Sequence, residues 1–178
     1  MNVHSRTKKQ LFDKIRQLEE QLHNGQSKTD GLAAHRFSTL VAHLPGGIII
    51  ETPDRKVMQA NQKFCEMFAI DAPPEALAGT DCREAARQVK SLFADSDAFV
   101  SRIDDILAGG EPVHNEELLL TDGRVFERDY VPVVTAPGQV ENLWHYRDIT
   151  RQKAVQVELR ESKNKYKESI VFFLYYYM

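Results

Sequence analysis

Only two cysteines, Cys65 and Cys82, occur in 178 residues. That is too few to staple a disulfide scaffold, and reduced thiols in a cytoplasmic protein are the simpler expectation. Charge of one sign is equally scarce. The 23 basic and 26 acidic side chains leave a formal net charge of −3, and the two signs are interspersed rather than blocked. Such a surface offers no electrostatic footprint for nucleic acid or an anionic membrane. Long apolar runs are missing too. The N-terminal stretch from Met1 to Gln10 carries nothing like the apolar core of a secretory leader. The one strongly apolar run, Ile170 to Met178, is far shorter than the ~20 residues a membrane-spanning helix needs. It reads either as the first part of a severed segment or as a stretch foreign to the natural chain, and no function is assigned to it. The six histidines show no metal-ligand spacing.

What is present suffices for a core. Hydrophobic residues make up 42% of the chain, enough for one ordinary domain with extensions. Near the start, Leu11, Ile15, Leu18 and Leu22 recur at heptad spacing among charged and amide residues. Asn24-Gly25 ends that helix, which is close to the ~12–15 residues below which an isolated helix barely holds in water. Its stripe needs a partner: a second copy in a dimer, or its own domain. Gln26 to Gly31 reads as a polar linker.

A compact unit is expected from His35. Phe37, Leu40, Val41 and Leu44 have helical spacing, and Pro45-Gly46-Gly47 stops that helix. Ile48 to Ile50 reads as a buried strand, Thr52 to Arg55 as a turn, and Lys56 to Ala60 as the second strand of a hairpin. Asn61 is a good N-cap for a short helix bearing Phe64, Met67 and Phe68. Asp81 followed by Glu84 resembles a capping box and opens a helix carrying Ala85, Ala86, Val89, Leu92 and Phe93. Another helix runs from near Ser96 to Gly109-Gly110. The rest is β: Val113 to Leu120 and Val125 to Val134 flank Asp122-Gly123, a strong hairpin signal, and Pro137-Gly138 turns into Val140 to Ile149. After Thr150, a plausible N-cap, a final helix places Val155, Leu159 and Tyr166 in heptad register, with Ser162 and Ser169 interrupting the stripe. Successive hairpins imply an antiparallel sheet with helices segregated to one side, an α+β architecture.

Several segments resemble PAS domains, in order. Pro45-Gly46-Gly47-Ile48-Ile49-Ile50 is similar to the start of the first PAS strand, and Val57-Met58-Gln59-Ala60-Asn61-Gln62-Lys63-Phe64 to the second strand with its Asn-capped helix. Ala108-Gly109-Gly110-Glu111-Pro112-Val113 resembles the passage into the third strand, and Thr121-Asp122-Gly123-Arg124 the hairpin after it. Most specific is Tyr146-Arg147-Asp148-Ile149-Thr150-Arg151-Gln152-Lys153, similar to the Asp-Ile-Thr ending of PAS domains that feed a signalling helix. The resemblance implies a five-stranded antiparallel sheet with a helical clasp on one face over a small cavity. It also implies homodimers, and a place upstream of a histidine kinase or similar output domain in a two-component system. The expected organisation is an N-terminal amphipathic helix and linker over 1–34, a PAS domain over 35–150, and a C-terminal signalling helix over 151–178, the flanking helices being of coiled-coil type.

The expected function is that of a sensor and relay, without enzymatic activity. No segment matches a phosphoacceptor His followed by an acidic residue, Arg and Pro, and no Gly-rich nucleotide loop occurs. Gly109-Gly110-Glu111 is explained by a helix C-cap rather than a cyclase signature. Gly79-Thr80-Asp81-Cys82-Arg83 is in register with the flavin-binding signature of light-oxygen-voltage domains, whose cysteine adds to the excited flavin. The Phe-Leu-Gln run that should follow is Glu84-Ala85-Ala86 here, and Leu118 and Tyr146 stand where polar flavin contacts are expected. Cys82 then reads as a small core residue. Haem would call for a His between Ser96 and Gly109, where there is none, and His114 and His145 read as strand residues rather than ligands.

Strand alternation puts Phe126, Arg128 and Tyr130 on one face, with Glu127 and Asp129 on the other. Trp144, Tyr146 and Asp148 similarly alternate with His145 and Arg147. The candidate ligand-binding residues are Phe64, Cys82, Arg128, Tyr130, Trp144 and Tyr146, although the charged ones fit cross-strand pairs as well. Asp148 and Thr150 are the candidates for signal coupling. Leu11, Ile15, Leu18 and Leu22 are those for a dimer interface. A ligand-free dimerisation scaffold and a flavin photoreceptor are the competing readings.

Overall fold

The computed structural model describes residues 13–14 and 29–177. Helix α1 (Thr29–His43) leads into strands β1 (Gly47–Glu51) and β2 (Val57–Ala60). Three helices follow, α2 (Gln62–Met67), α3 (Cys82–Val89) and α4 (Ser96–Gly109), with short 3-10 turns at Pro74–Leu77 and Lys90–Leu92. Strands β3 (Val113–Leu119), β4 (Val125–Ala136) and β5 (Gln139–Asp148) complete the sheet, and α5 (Thr150–Tyr177) leaves it. The strand order is β2-β1-β5-β4-β3, antiparallel at every pairing. This is the five-stranded α+β arrangement that the resemblance implies.

The sheet is covered on both faces. On one, Ile49, Phe126, Tyr130, Trp144 and Tyr146 pack against Phe64 and Met67 of α2, Phe68 just after it, and Phe99 and Ile103 of α4. On the other, Ile48, Ile50 and Leu143 pack against Val41 of α1, with Phe37 and Leu44 beside them. The helical clasp of α2 to α4 thus lies on one face as expected, and α1 adds cover on the other. Three successive isoleucines alternate across the sheet, so both faces need cover, and α1 supplies the second.

Three local readings also change. Thr29 to Gly31, expected in a linker, lie in the first turn of α1. Phe93 is extended rather than helical, forms a bridge to Leu120, and stacks on Phe99 with ring centroids 3.8 Å apart. Helix α5 begins at Thr150 itself. The predicted caps at Asn61 and Asp81 are in place, each side chain accepting N–H groups of the following turn. Leu11, Ile15, Leu18 and Leu22 lie outside the described residues. Among the described residues, no helix is long and apolar enough to cross a membrane.

Candidate functional site

The sheet and the helices α2 to α4 border a half-open cavity of about 60 Å³. Its wall is mostly apolar: Ile49, Phe64, Phe68, Ile70, Ala86, Val89, Phe99 and Ile103 contribute, with Trp144 and Tyr146 from β5. Glu51, Arg55 and Cys82 form its polar end. Of the six predicted binding residues, Phe64, Cys82, Trp144 and Tyr146 line this cavity. Arg128 and Tyr130 share the face but stand outside the lining. The Tyr130 hydroxyl donates to Asn142 Oδ1 at 2.8 Å, and its ring packs 4.6 Å from Trp144.

The polar end escaped the sequence reading. Glu51 closes a strand of isoleucines and is 2% exposed. Its carboxylate accepts from Arg55 Nε and Trp144 Nε1. Arg55 holds a left-handed backbone conformation (φ 68°) in the β1–β2 turn. Its carbonyl accepts the Cys82 N–H at 2.9 Å, while Lys56 beside it pairs with Asp81 at 3.1 Å. The turn is thereby fastened to the start of α3. Lys56, with the Arg83 and Glu84 N–H groups, holds the Asp81 carboxyl below its ordinary range.

Cys82 sits at this junction. Burial, reinforced by the Glu51 carboxylate beside it, pushes the thiol far above its ordinary range. A thiol so held is a packed neutral group, not a nucleophile. Phe64, Phe68 and Tyr146 line the same cavity as Cys82. Among the described residues, no cluster of His, Cys, Asp and Glu could hold a metal ion.

Behind the Phe99 and Trp144 rings stands Arg128, 0% exposed. Its Nε and Nη2 donate to Glu116 Oε2 on β3 at 2.9 and 2.6 Å, and Arg102 of α4 donates to Oε1 of the same carboxylate at 2.7 Å. Burial opposes the charge on Glu116, yet the two guanidiniums prevail and hold its carboxyl below the ordinary range. Burial also pushes the Tyr146 hydroxyl up to about 12, against a smaller lowering by the neighbouring Arg128.

The charges of the opposite face pair across strands. Glu127 meets Arg147, and Asp129 lies 3.6 Å from His145. The second pair is buried rather than solvated, at 1% and 3% exposure. His145 Nε2 is 3.0 Å from the Pro45 carbonyl, so the residue is packed beneath the loop after α1.

The strand-to-helix junction is built from hydrogen bonds. Thr150 N–H donates to Asp148 Oδ1 at 2.9 Å, and the Thr150 hydroxyl donates to the same oxygen. That hydroxyl also accepts the Val125 N–H at 3.0 Å, and the Ile149 N–H donates to the Val125 carbonyl at 2.9 Å. The capping acceptor is thus Asp148, while Thr150, expected as the cap, latches α5 to β4. One turn on, Lys153 pairs with Glu117 of β3.

The sequence matches the family described as PAS fold over residues 41–154. No curated protein matches it. Among solved structures, the PAS domain of BvgS from Bordetella pertussis is similar, with 18% identity, 74% of this chain and 97% of that one covered, and a TM-score of 0.53. An RNA-binding light-oxygen-voltage receptor has 20% identity over 75% of this chain and 38% of its own, with a TM-score of 0.52. At such identities the likeness is one of fold.

Proposed function

The chain belongs to the PAS fold family, and from that premise we propose that it is the sensory and relay module of a larger signal-transduction protein. In this reading the cavity takes a small ligand, the chain performs no catalysis, and a histidine kinase or related output domain receives the signal through α5. The observation that carries it is the double attachment of the junction to Val125. The next residue, Phe126, is 0% exposed and pairs in register with Asp148. Its ring lies 6.1 Å from Phe68, which meets Tyr146 edge-on at 4.8 Å, and both Phe68 and Tyr146 line the cavity. A ligand that shifts either ring presses on the strand that holds the root of the helix. Coupling of about 1–3 kcal/mol suffices to change an output several-fold.

Asp148→Ala tests the relay. It removes the junction's acceptor without touching an apolar core residue, at a cost on the order of 1 kcal/mol. Hydrogen exchange is expected to rise from Thr150 to about Tyr166 and to stay unchanged across the sheet. Unchanged exchange in α5, with a normal response in the parent protein, refutes the coupling role.

The module is further proposed to work as a homodimer. Val155, Leu159 and Tyr166 of α5 are more than half exposed in the single chain, which supports a helical interface shared with Leu11, Ile15, Leu18 and Leu22. Ile15→Glu with Leu18→Glu is expected to give monomers that keep the folded circular-dichroism spectrum. Sedimentation of the unmutated chain as a monomer at tens of micromolar overturns the dimer.

A further inference from the structure

The polar end of the cavity offers open donors and engaged acceptors. Arg55 lines the cavity, is 7% exposed, and donates through Nε to Glu51. Its other two nitrogens carry four further N–H groups. Nη1 stands 3.8 Å from Asp104, past hydrogen-bond reach. Among the described residues, no group accepts from Nη1 or Nη2. Glu51 is engaged at both oxygens, by Arg55 and by Trp144 Nε1, and the Cys82 thiol beside it is neutral. The backbone adds a second observation. Arg55 holds φ 68°, a left-handed conformation disfavoured for so large a side chain. Strain of this kind is kept where it places a group for a task, and here it sets the guanidinium in the cavity wall.

The chemistry of the wall narrows the occupant. Open N–H donors call for an oxygen acceptor. That acceptor is neutral, because Arg55 already has Glu51 as its counter-charge, and an anion would meet the carboxylates of both Glu51 and Asp104. A carbonyl suits the site better than a hydroxyl, which must also place its hydrogen where the nearest carboxylate is engaged at both oxygens. The wall at Ile49, Phe64, Val89 and Ile103 is apolar and fits an alkyl chain. About 60 Å³, at ~10–15 Å³ for each water-sized group, corresponds to roughly four to six non-hydrogen atoms. We propose that the cavity binds a short-chain ketone, its oxygen accepting from an Nη group of Arg55 and its alkyl part lying against Ile49, Phe64 and Val89. The proposal rests on the sensory reading and names the class of ligand that reading leaves open.

The test is thermal unfolding and calorimetric titration of the full chain with 2-butanone and 2-pentanone. The controls are 1-butanol, and sodium butyrate and butylammonium chloride against sodium chloride at equal ionic strength. At least one ketone is expected to raise the melting temperature saturably and to bind more tightly than every control. Arg55→Met removes the donor and should weaken that binding at least about tenfold, the ordinary loss for a hydrogen bond to a charged group. Because that variant strips Glu51 of its partner and can unfold the domain, a second one, Ala86→Leu, fills the cavity and keeps Arg55; it should abolish the response. Three outcomes each overturn the proposal: no saturable response to either ketone, equal or tighter binding of a control, or undiminished binding by Ala86→Leu. None of them touches the relay, which stands or falls on exchange in Asp148→Ala, so the two failures are distinguishable.

Discussion

Glu51→Gln is expected to destabilise the domain by about 3–5 kcal/mol, because it leaves a buried guanidinium without its counter-charge. For a domain of this size, that corresponds to a fall in melting temperature of about 10–20 °C. Arg55 is 7% exposed, and its other acidic neighbour, Asp104, is 3.8 Å away on a largely exposed side chain, too weak a replacement. The new amide can still accept from Trp144, but it no longer answers the charge of Arg55. Removing both charges of a buried pair is far milder than removing one, so Glu51→Gln with Arg55→Met is expected to recover most of the loss. Chemical denaturation checks both steps. A single-variant loss below about 1 kcal/mol, or a double variant no better than the single, shows that the pair does not anchor the cavity's polar end. The functional consequence follows from the same geometry. Arg55 is tied through its carbonyl to Cys82 at the start of α3, so loosening the pair frees the helix that closes the cavity.

Asn61→Ala is expected to cost about 3 kcal/mol, roughly a 10 °C fall in melting temperature. An ordinary N-cap accounts for only about 1 kcal/mol of this. The remainder arises because Asn61 is 1% exposed and all of its bonding capacity is used. Oδ1 accepts the N–H groups of Ile48 and Phe64, each at 2.9 Å, while Nδ2 donates to the carbonyls of Val41 and Gly46 at 3.2 and 2.9 Å. One amide thus joins α1, β1 and α2. Asn61→Asp keeps the acceptors but loses both donations and buries a charge, so it should fare no better than alanine. A loss confined to the cap value, or rescue by aspartate, argues against the three-way joint.

The contrast between these two residues shows which parts were legible. Asn61 was readable as a cap because capping is local: a side chain, a turn and a following apolar run lie within a few positions. Its bonds back to Val41 and Gly46 span up to 20 residues, and no local pattern announces them. Glu51 and Arg55 flank a turn, where charges ordinarily meet water. Their burial follows from Trp144, 93 residues away in sequence. The same limit applies to Arg128. Alternation put it on the cavity face, but only the pairing of β3 with β4 brings Glu116 opposite it.

The chain's order of strands and helices is a property of the sequence. Asp122-Gly123 and Pro137-Gly138 set the hairpins, alternation chose the faces of β4 and β5, and Asp148 to Thr150 marked the handover to α5, since each of these signals acts over a few residues. Packing decided the rest. Helix α1 settled on the second face of the sheet because Ile48 and Ile50 needed cover there, and Phe93 left its helix to stack on Phe99. The cavity's size, its Glu51–Arg55 end and the Arg128–Glu116 pair arise only when segments far apart in sequence exclude water from one another, because burial is what turns an ordinary surface charge into a constrained one.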